Sequence, residues 1–270
     1  MMKIDLDIVL RERLPRHYKY IPHGLIRMLE RIICQDDMNE MLQRNDGLRD
    51  ADFCRGVLSH LDIKWKARGA LEQLAATPRP LIVSNHPLGG LDGIAMIDFV
   101  TDTCGPGMKF IVNDLLMAIE PLRGVFLPVN KHGSQSRRAS EEIEAAFDSD
   151  APVVIFPAGL CSRRRNGVVT DLEWQKMFVN RAISSGRPVI PVHFSGKNSS
   201  FFYTFANLRE RLGIKFNIEM VRLPAEVFRC RGAEFTISVG EPITPDQLRG
   251  GSQARATAAE LRRKVYALAR

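Results

Sequence analysis

The sequence predicts an α/β fold, a mostly parallel sheet flanked by helices, with an N-terminal helical region over residues 1–70 and an α/β domain over 71–270. Two observations lead there. From residue 79 onward short apolar runs of β character alternate with stretches of helical periodicity, whereas the first 70 residues carry helical spacing almost throughout. The size agrees: 270 residues, 45% hydrophobic and 26% charged, suffice for a full hydrophobic core plus a small appendage.

In the N-terminal region Leu25, Met28, Leu29, Ile32 and Ile33 recur at helical spacing with Arg27 and Arg31 on other faces. Such a stripe packs on a core or lies along a membrane surface, and the basic flanks with Tyr18 and Tyr20 just upstream suit the second role. The expected strands are Pro80 to Ser84, Lys109 to Val112, Val125 to Val129, Val153 to Phe156, Val189 to Phe194 and Phe235 to Val239. Helices are expected near 91–103, 136–148, 173–185 and 200–212. A last helix is expected to open on the capping box Thr244-Pro245-Asp246-Gln247 and run toward the C-terminus.

Composition narrows the function classes. Five scattered cysteines without a C-x-x-C pair support neither a disulfide framework nor a zinc knuckle, and a reducing cytoplasm fits them. Asp5 and Asp7 interrupt any signal-peptide core, and no apolar run reaches the length of a spanning helix. A net charge of +7 favours a polyanionic partner: an anionic membrane surface or an acidic carrier protein. With 7% aromatic residues and no nucleic-acid-binding signature, nucleic acid is not expected.

The stretch Asn85-His86-Pro87-Leu88-Gly89-Gly90-Leu91-Asp92-Gly93 sets a histidine and a carboxylate at the ends of a glycine-containing turn after an apolar strand. On an ideal helix a separation of six residues turns two side chains about 120° apart. They meet only if the chain curls, which Pro87, Gly89 and Gly90 permit. A neutral imidazole that accepts a hydroxyl proton, held by a carboxylate on its other nitrogen, is a general base with its orienting acid.

Three more segments stand at strand exits: Arg123-Gly124-Val125-Phe126-Leu127-Pro128-Val129-Asn130, Phe156-Pro157-Ala158-Gly159-Leu160-Cys161-Ser162-Arg163, and Val189-Ile190-Pro191-Val192. Together with the histidine turn they resemble the four ordered blocks of the glycerolipid acyltransferase family, over roughly residues 80 to 195. The resemblance implies an O-acyltransferase that moves a fatty acyl group from an acyl carrier protein or coenzyme A thioester to the hydroxyl of a lyso-lipid acceptor. His86 and Asp92 are its catalytic pair. Asn85, Gly89, Gly90, Asn130, Lys131, Gly159, Ser162, Arg163 and Arg164 fall at substrate-binding positions, with Gly89 and Gly90 near a prospective oxyanion hole.

This chain departs from the family in three places. His86 and Asp92 have five residues between them instead of four; Ala158, Leu160 and Cys161 replace a glutamate, a threonine and an arginine; and Asn130-Lys131 stands where an arginine often closes the second block. Those positions hold the glycerol phosphate in the family, so a different acceptor is expected. The wording of the blocks is most similar to a bacterial subgroup carrying the hemolysin label and linked to aminolipids of the ornithine or glycine type, whose carboxylate an arginine fork can hold.

The alternatives are a 1-acylglycerol-3-phosphate acyltransferase, a non-catalytic lipid-binding membrane adaptor on the same fold, and a thioesterase, the last without a G-x-S-x-G elbow in the chain. Cys161 beside the site raises a thiol nucleophile. Phe201, Phe202, Tyr203 and Phe205 are candidates for core or for the wall of an acyl groove. At about 0.8 kcal/mol per buried methylene the tail dominates affinity and the head group sets selectivity. His17, His23, His60, His132 and His193 show no ligand spacing, and neither metal nor cofactor is expected. The expected location is cytoplasmic, peripheral on the inner face of the cell membrane.

Overall fold

The apolar runs become a sheet whose central strands are buried on both faces. The computed structural model describes residues 3–13, 15–129 and 137–269. Its strands are β1 (Lys64–Gly69), β2 (Leu81–Ser84), β3 (Lys109–Asn113), β4 (Phe126–Val129), β5 (Val153–Ile155), β6 (Arg163–Arg165), β7 (Val168–Thr170), β8 (Val189–Phe194) and β9 (Glu234–Val239). Seven of them form one sheet in the order β1-β9-β8-β2-β5-β3-β4, and β6 pairs with β7 in a separate hairpin. Every neighbour pair in the large sheet is parallel except β8 with β9.

Alternation along β2 shows how the layers are built. Ile82 points into a cluster with Val57, Phe99, Val154 and Ile190, under the helices Asp50–His60 and Leu91–Cys104. Leu81 and Val83 point the other way, into Val153, Val189, Phe147, Phe178 and Leu261, under the helices Arg137–Asp148, Met177–Ser185 and Ala254–Ala267. Helices on both faces are what a parallel sheet requires.

Two expectations are corrected. Within the region read as helical, Lys64–Gly69 form β1, a strand the sequence hid because Lys64, Lys66 and Arg68 alternate along an edge with a solvated face. The capping box at Thr244 is made, but it caps only the 3-10 turn Pro245–Gln247. Gly251 at φ +60° breaks the chain before the terminal helix, which starts at Ala254.

The helices upstream of β1 are tied to the sheet domain through Asp98, whose carboxylate accepts from Arg55 Nε and Trp65 Nε1, both at 2.8 Å. In the helix His23–Ile32 only Ile26 is buried; Leu25 and Met28 remain 41% and 50% exposed. Among the described residues no helix is long and apolar enough to cross a membrane.

One buried arginine staples the second layer. Arg187 is fully buried, and its guanidinium donates to the backbone carbonyls of Ala146, Phe147, Ser149, Ala151 and Arg79 at 2.5–3.0 Å. Two of these carbonyls, those of Ala146 and Phe147, belong to the C-terminal end of the helix Arg137–Asp148, where the dipole favours a cation. Removing the donors strands buried carbonyls, so Arg187→Ala is expected to lower the unfolding free energy by about 3 kcal/mol or more in urea titration.

Candidate active site

Parallel pairing brings the strand exits to one edge. Val83 lies opposite Ile155 and Ser84 opposite Val192, so the turn after β2, the Phe156-Pro157 turn after β5 and the chain after β8 leave the sheet side by side. At that edge His86 Nδ1 stands 2.9 Å from Asp92 Oδ2.

The turn is folded around the carboxylate. Asp92 is fully buried in the first turn of the helix Leu91–Cys104. It accepts from the backbone N–H groups of Leu88 (2.8 Å), Gly89 (3.4 Å), Gly90 (3.1 Å) and Gly93 (3.0 Å) as well as from the imidazole. Gly89 takes φ +81°, and a Cβ there would sit 2.9 Å from Leu223 Cδ1 and 3.1 Å from Cys161 Cβ. Glycine alone fits, and the extra residue between histidine and aspartate is absorbed in this curl. Burial pushes the Asp92 carboxyl up, but the charge and hydrogen bond of His86 and the amides of Leu88 and Gly89 outweigh it and hold the group below the usual carboxylate range.

An ionised Asp92 fixes the imidazole. As an acceptor only, it calls for the proton on Nδ1, which leaves the lone pair on Nε2. The His86 side chain is 16% exposed, and among the described residues Nε2 has no protein partner. The Phe156 ring covers one face of the imidazole, centroids 4.2 Å apart and planes 21° from parallel. A hydroxyl at the open nitrogen would meet a base that cannot rotate away.

The main chain of His86 is held as firmly as its ring. Its N–H donates to Asp171 Oδ1 (3.2 Å), and its carbonyl accepts from the Ser162 N–H (2.7 Å). Ser162 Oγ donates to the same Asp171 oxygen at 2.6 Å, while Trp174 Nε1 donates to the other at 2.9 Å. The Asp171 N–H in turn donates to Tyr266 Oη at 2.8 Å, on the terminal helix. Burial is the first of the causes that push the Tyr266 phenol up to about 12, so it stays neutral. Asp171 was not foreseen. The available signal was Asn166-Gly167, a two-residue hairpin turn with φ +50° and +80°. It reverses the chain so that Arg163 faces Thr170, which puts Ser162 opposite Asp171.

The remaining expected residues divide sharply. Asn85 is buried with its amide spent on the Phe194 backbone, donating to the carbonyl at 2.9 Å and accepting from the N–H at 2.7 Å, so it joins β2 to β8. The amides of Gly89 and Gly90 are already directed at Asp92, not at a space for an oxyanion. Gly159 is exposed at a turn with φ +64°. Arg163 is buried in an ion pair with Glu219 (2.8 Å), which Arg209 also approaches at 2.9 Å. Arg164 is half-buried, donates to Thr204 Oγ1 at 2.9 Å and lies over the Tyr203 ring. Asn130 and Lys131 lie outside the described residues, as does His132.

Phe202 and Tyr203 pack in a buried cluster with Cys161, whereas Phe201 is 56% exposed and stacks on Phe205. Cys161 itself is fully buried, and burial pushes its thiol up to about 11 against the pull of Arg163. A neutral, enclosed thiol is a poor nucleophile. Among the described residues no group of three or more histidine, cysteine or acidic side chains could hold a metal ion.

The model of a family described as acyltransferase matches residues 8–270. The chain belongs to that acyltransferase family. This acyltransferase is 43% identical over 240 residues to a lyso-glycine lipid O-acyltransferase of Bacteroides thetaiotaomicron, covering 89% of this chain and 88% of that protein. It is 42% identical over 240 residues to a protein of the same name from Phocaeicola vulgatus, with 89% and 86% covered. The acyltransferase is also similar to the crystal structure of the 1-acyl-sn-glycerophosphate (LPA) acyltransferase PlsC from Thermotoga maritima, at 21% identity and a TM-score of 0.46 over 91% of this chain and 92% of that one.

The Asp92 geometry has a measurable signature. Asp92→Asn places an amide donor against backbone N–H donors and is expected to cost about 2 to 4 kcal/mol of stability at neutral pH. Because the native carboxyl is held low, the wild-type advantage is full above about pH 4, near the unfolded value, and is lost as pH falls through the lowered native value. Urea titrations of both proteins across that range check this, and a pH-independent difference would refute it.

Proposed function

We propose that His86 is the general base of an O-acyl transfer from an acyl carrier protein or coenzyme A thioester to the hydroxyl of a lyso-glycine lipid. The acceptor oxygen attacks the thioester carbonyl directly while its proton passes to His86 Nε2. The imidazolium that forms is stabilised by Asp92, and collapse of the tetrahedral intermediate expels the thiolate, which takes the proton. No acyl-enzyme is formed, in keeping with the buried, neutral Cys161.

The observation that carries the chemistry is the 2.9 Å contact between His86 Nδ1 and a buried Asp92, which leaves Nε2 facing outward. What favours a glycine lipid as acceptor is the pair of relatives of that name at 42–43% identity over 89% of the chain. Burial of Arg163 against Glu219 withdraws from solvent a cation that either a glycerol phosphate or a glycine carboxylate could use, so the choice of acceptor rests on the relatives. We place the enzyme at the cytoplasmic face of the membrane, held peripherally by an anionic lipid surface. There its +7 charge would also draw an acidic carrier protein.

Purified protein given acyl thioester and a lyso-glycine lipid is expected to release thiol and form the diacylated product. In His86→Ala the rate should fall about 10³-fold or more, with unchanged circular dichroism. An undiminished rate would remove His86 from its role.

A further inference from the structure

On the helix His23–Ile32 the residues Arg27 and Arg31 lie one turn apart and face a cleft of about 580 Å³ shared with Arg222 and Ala225. Met28 and Ile32 supply its apolar wall, and no acidic side chain lines it. Among the described residues neither the Arg27 nor the Arg31 guanidinium has a hydrogen-bond or ion-pair partner. Arg222 Nε is buried without a hydrogen-bond partner, and its guanidinium is braced 4.6 Å over the Phe201 ring. Of the acids around it, Glu219 is held by Arg163 and Arg209 and Glu226 by Ser199 and Arg229, while the charge of Asp37, after burial, helps push up the thiol of the lining residue Cys34.

Three guanidinium groups around one opening, with no acidic side chain among the lining residues, repel one another, and an anion that enters relieves that repulsion through charge-assisted hydrogen bonds. Next to the opening the surface turns apolar, with Leu25, Met28, Phe201 and Val221 exposed. Positive charge rimmed by exposed hydrocarbon matches a molecule with an anionic head and an alkyl tail. The cleft also borders the catalytic turn through the chain itself: Leu223, next after Arg222, fills the space against Gly89.

We propose that Arg27, Arg31 and Arg222 form a binding site for the anionic headgroup of a lipid, carboxylate or phosphate, separate from the His86 imidazole. The proposal rests on the reading of this chain as an acyltransferase working on lipids. The site would seat the headgroup beside the catalytic turn, with the tail along the apolar margin. It uses cations that the family's sequence blocks do not contain.

The test compares wild type, the surface double variant R27Q/R31Q and, separately, R222Q. Three probes are used: vesicles containing an anionic phospholipid, vesicles of zwitterionic phospholipid alone, and a monomeric N-acylglycine. Wild type should prefer the anionic vesicles, and each arginine removed should weaken that binding about fivefold while leaving zwitterionic vesicles unaffected. Loss of N-acylglycine binding in the variants assigns the site to a carboxylate headgroup. Loss on vesicles alone assigns it to a phospholipid phosphate. Wild-type binding by the variants to both anionic probes overturns the proposal. Thiol release by wild type with detergent-dispersed acceptor is measured in parallel; its failure beside intact arginine-dependent binding would remove the acyl-transfer reading and leave the headgroup site standing.

Discussion

A single carboxylate without access to water organises this protein's reactive edge. Burying the charge of Asp92 is costly, and the chain compensates with four backbone N–H groups and an imidazole. The compensation is what shapes the turn: Leu88, Gly89 and Gly90 must curl back toward a residue that follows them, and Gly89 must enter a region of backbone space that only glycine visits freely. The same bonds define which imidazole nitrogen is protonated. Fold, loop conformation and tautomer are therefore consequences of one desolvated charge at the start of a helix, whose dipole adds to its stabilisation.

A second buried carboxylate, Asp171, has a different task. It grips the main chain of His86 through the N–H and, with Ser162, joins the turn after β2 to the hairpin β6–β7 and the terminal helix. Ring and backbone of the histidine are thus fixed by separate carboxyl groups, and Phe156 closes the remaining freedom of the ring. Arg163 is drawn into the same buried economy through Glu219. Among the described residues, Arg27, Arg31 and Arg222 instead gather around one cleft that no acidic side chain lines.

The fold was legible because period-2 and period-3.6 patterns are written locally, and the central strands, buried on both faces, stand out as apolar runs such as Leu81-Ile82-Val83. β1 was not legible because its edge position leaves one face polar, and the break before the terminal helix turned on Gly251. Within the site, His86 and Asp92 could be paired because the glycines between them announce a turn. The roles of Asn85, Ser162 and Arg163 could not be read, since each is decided by a partner far along the chain: Phe194, Asp171 and Glu219. Residue type suggested solvent-facing chemistry, while long-range packing made all three internal.

The most direct measurement of the central claim is the tautomer of His86, observed by nitrogen-15 NMR of the ring near neutral pH. A proton on Nδ1, shifted downfield by its bond to Asp92, with Nε2 unprotonated, is the predicted result. A proton on Nε2 instead, in a spectrum unchanged by Asp92→Asn, would contradict it.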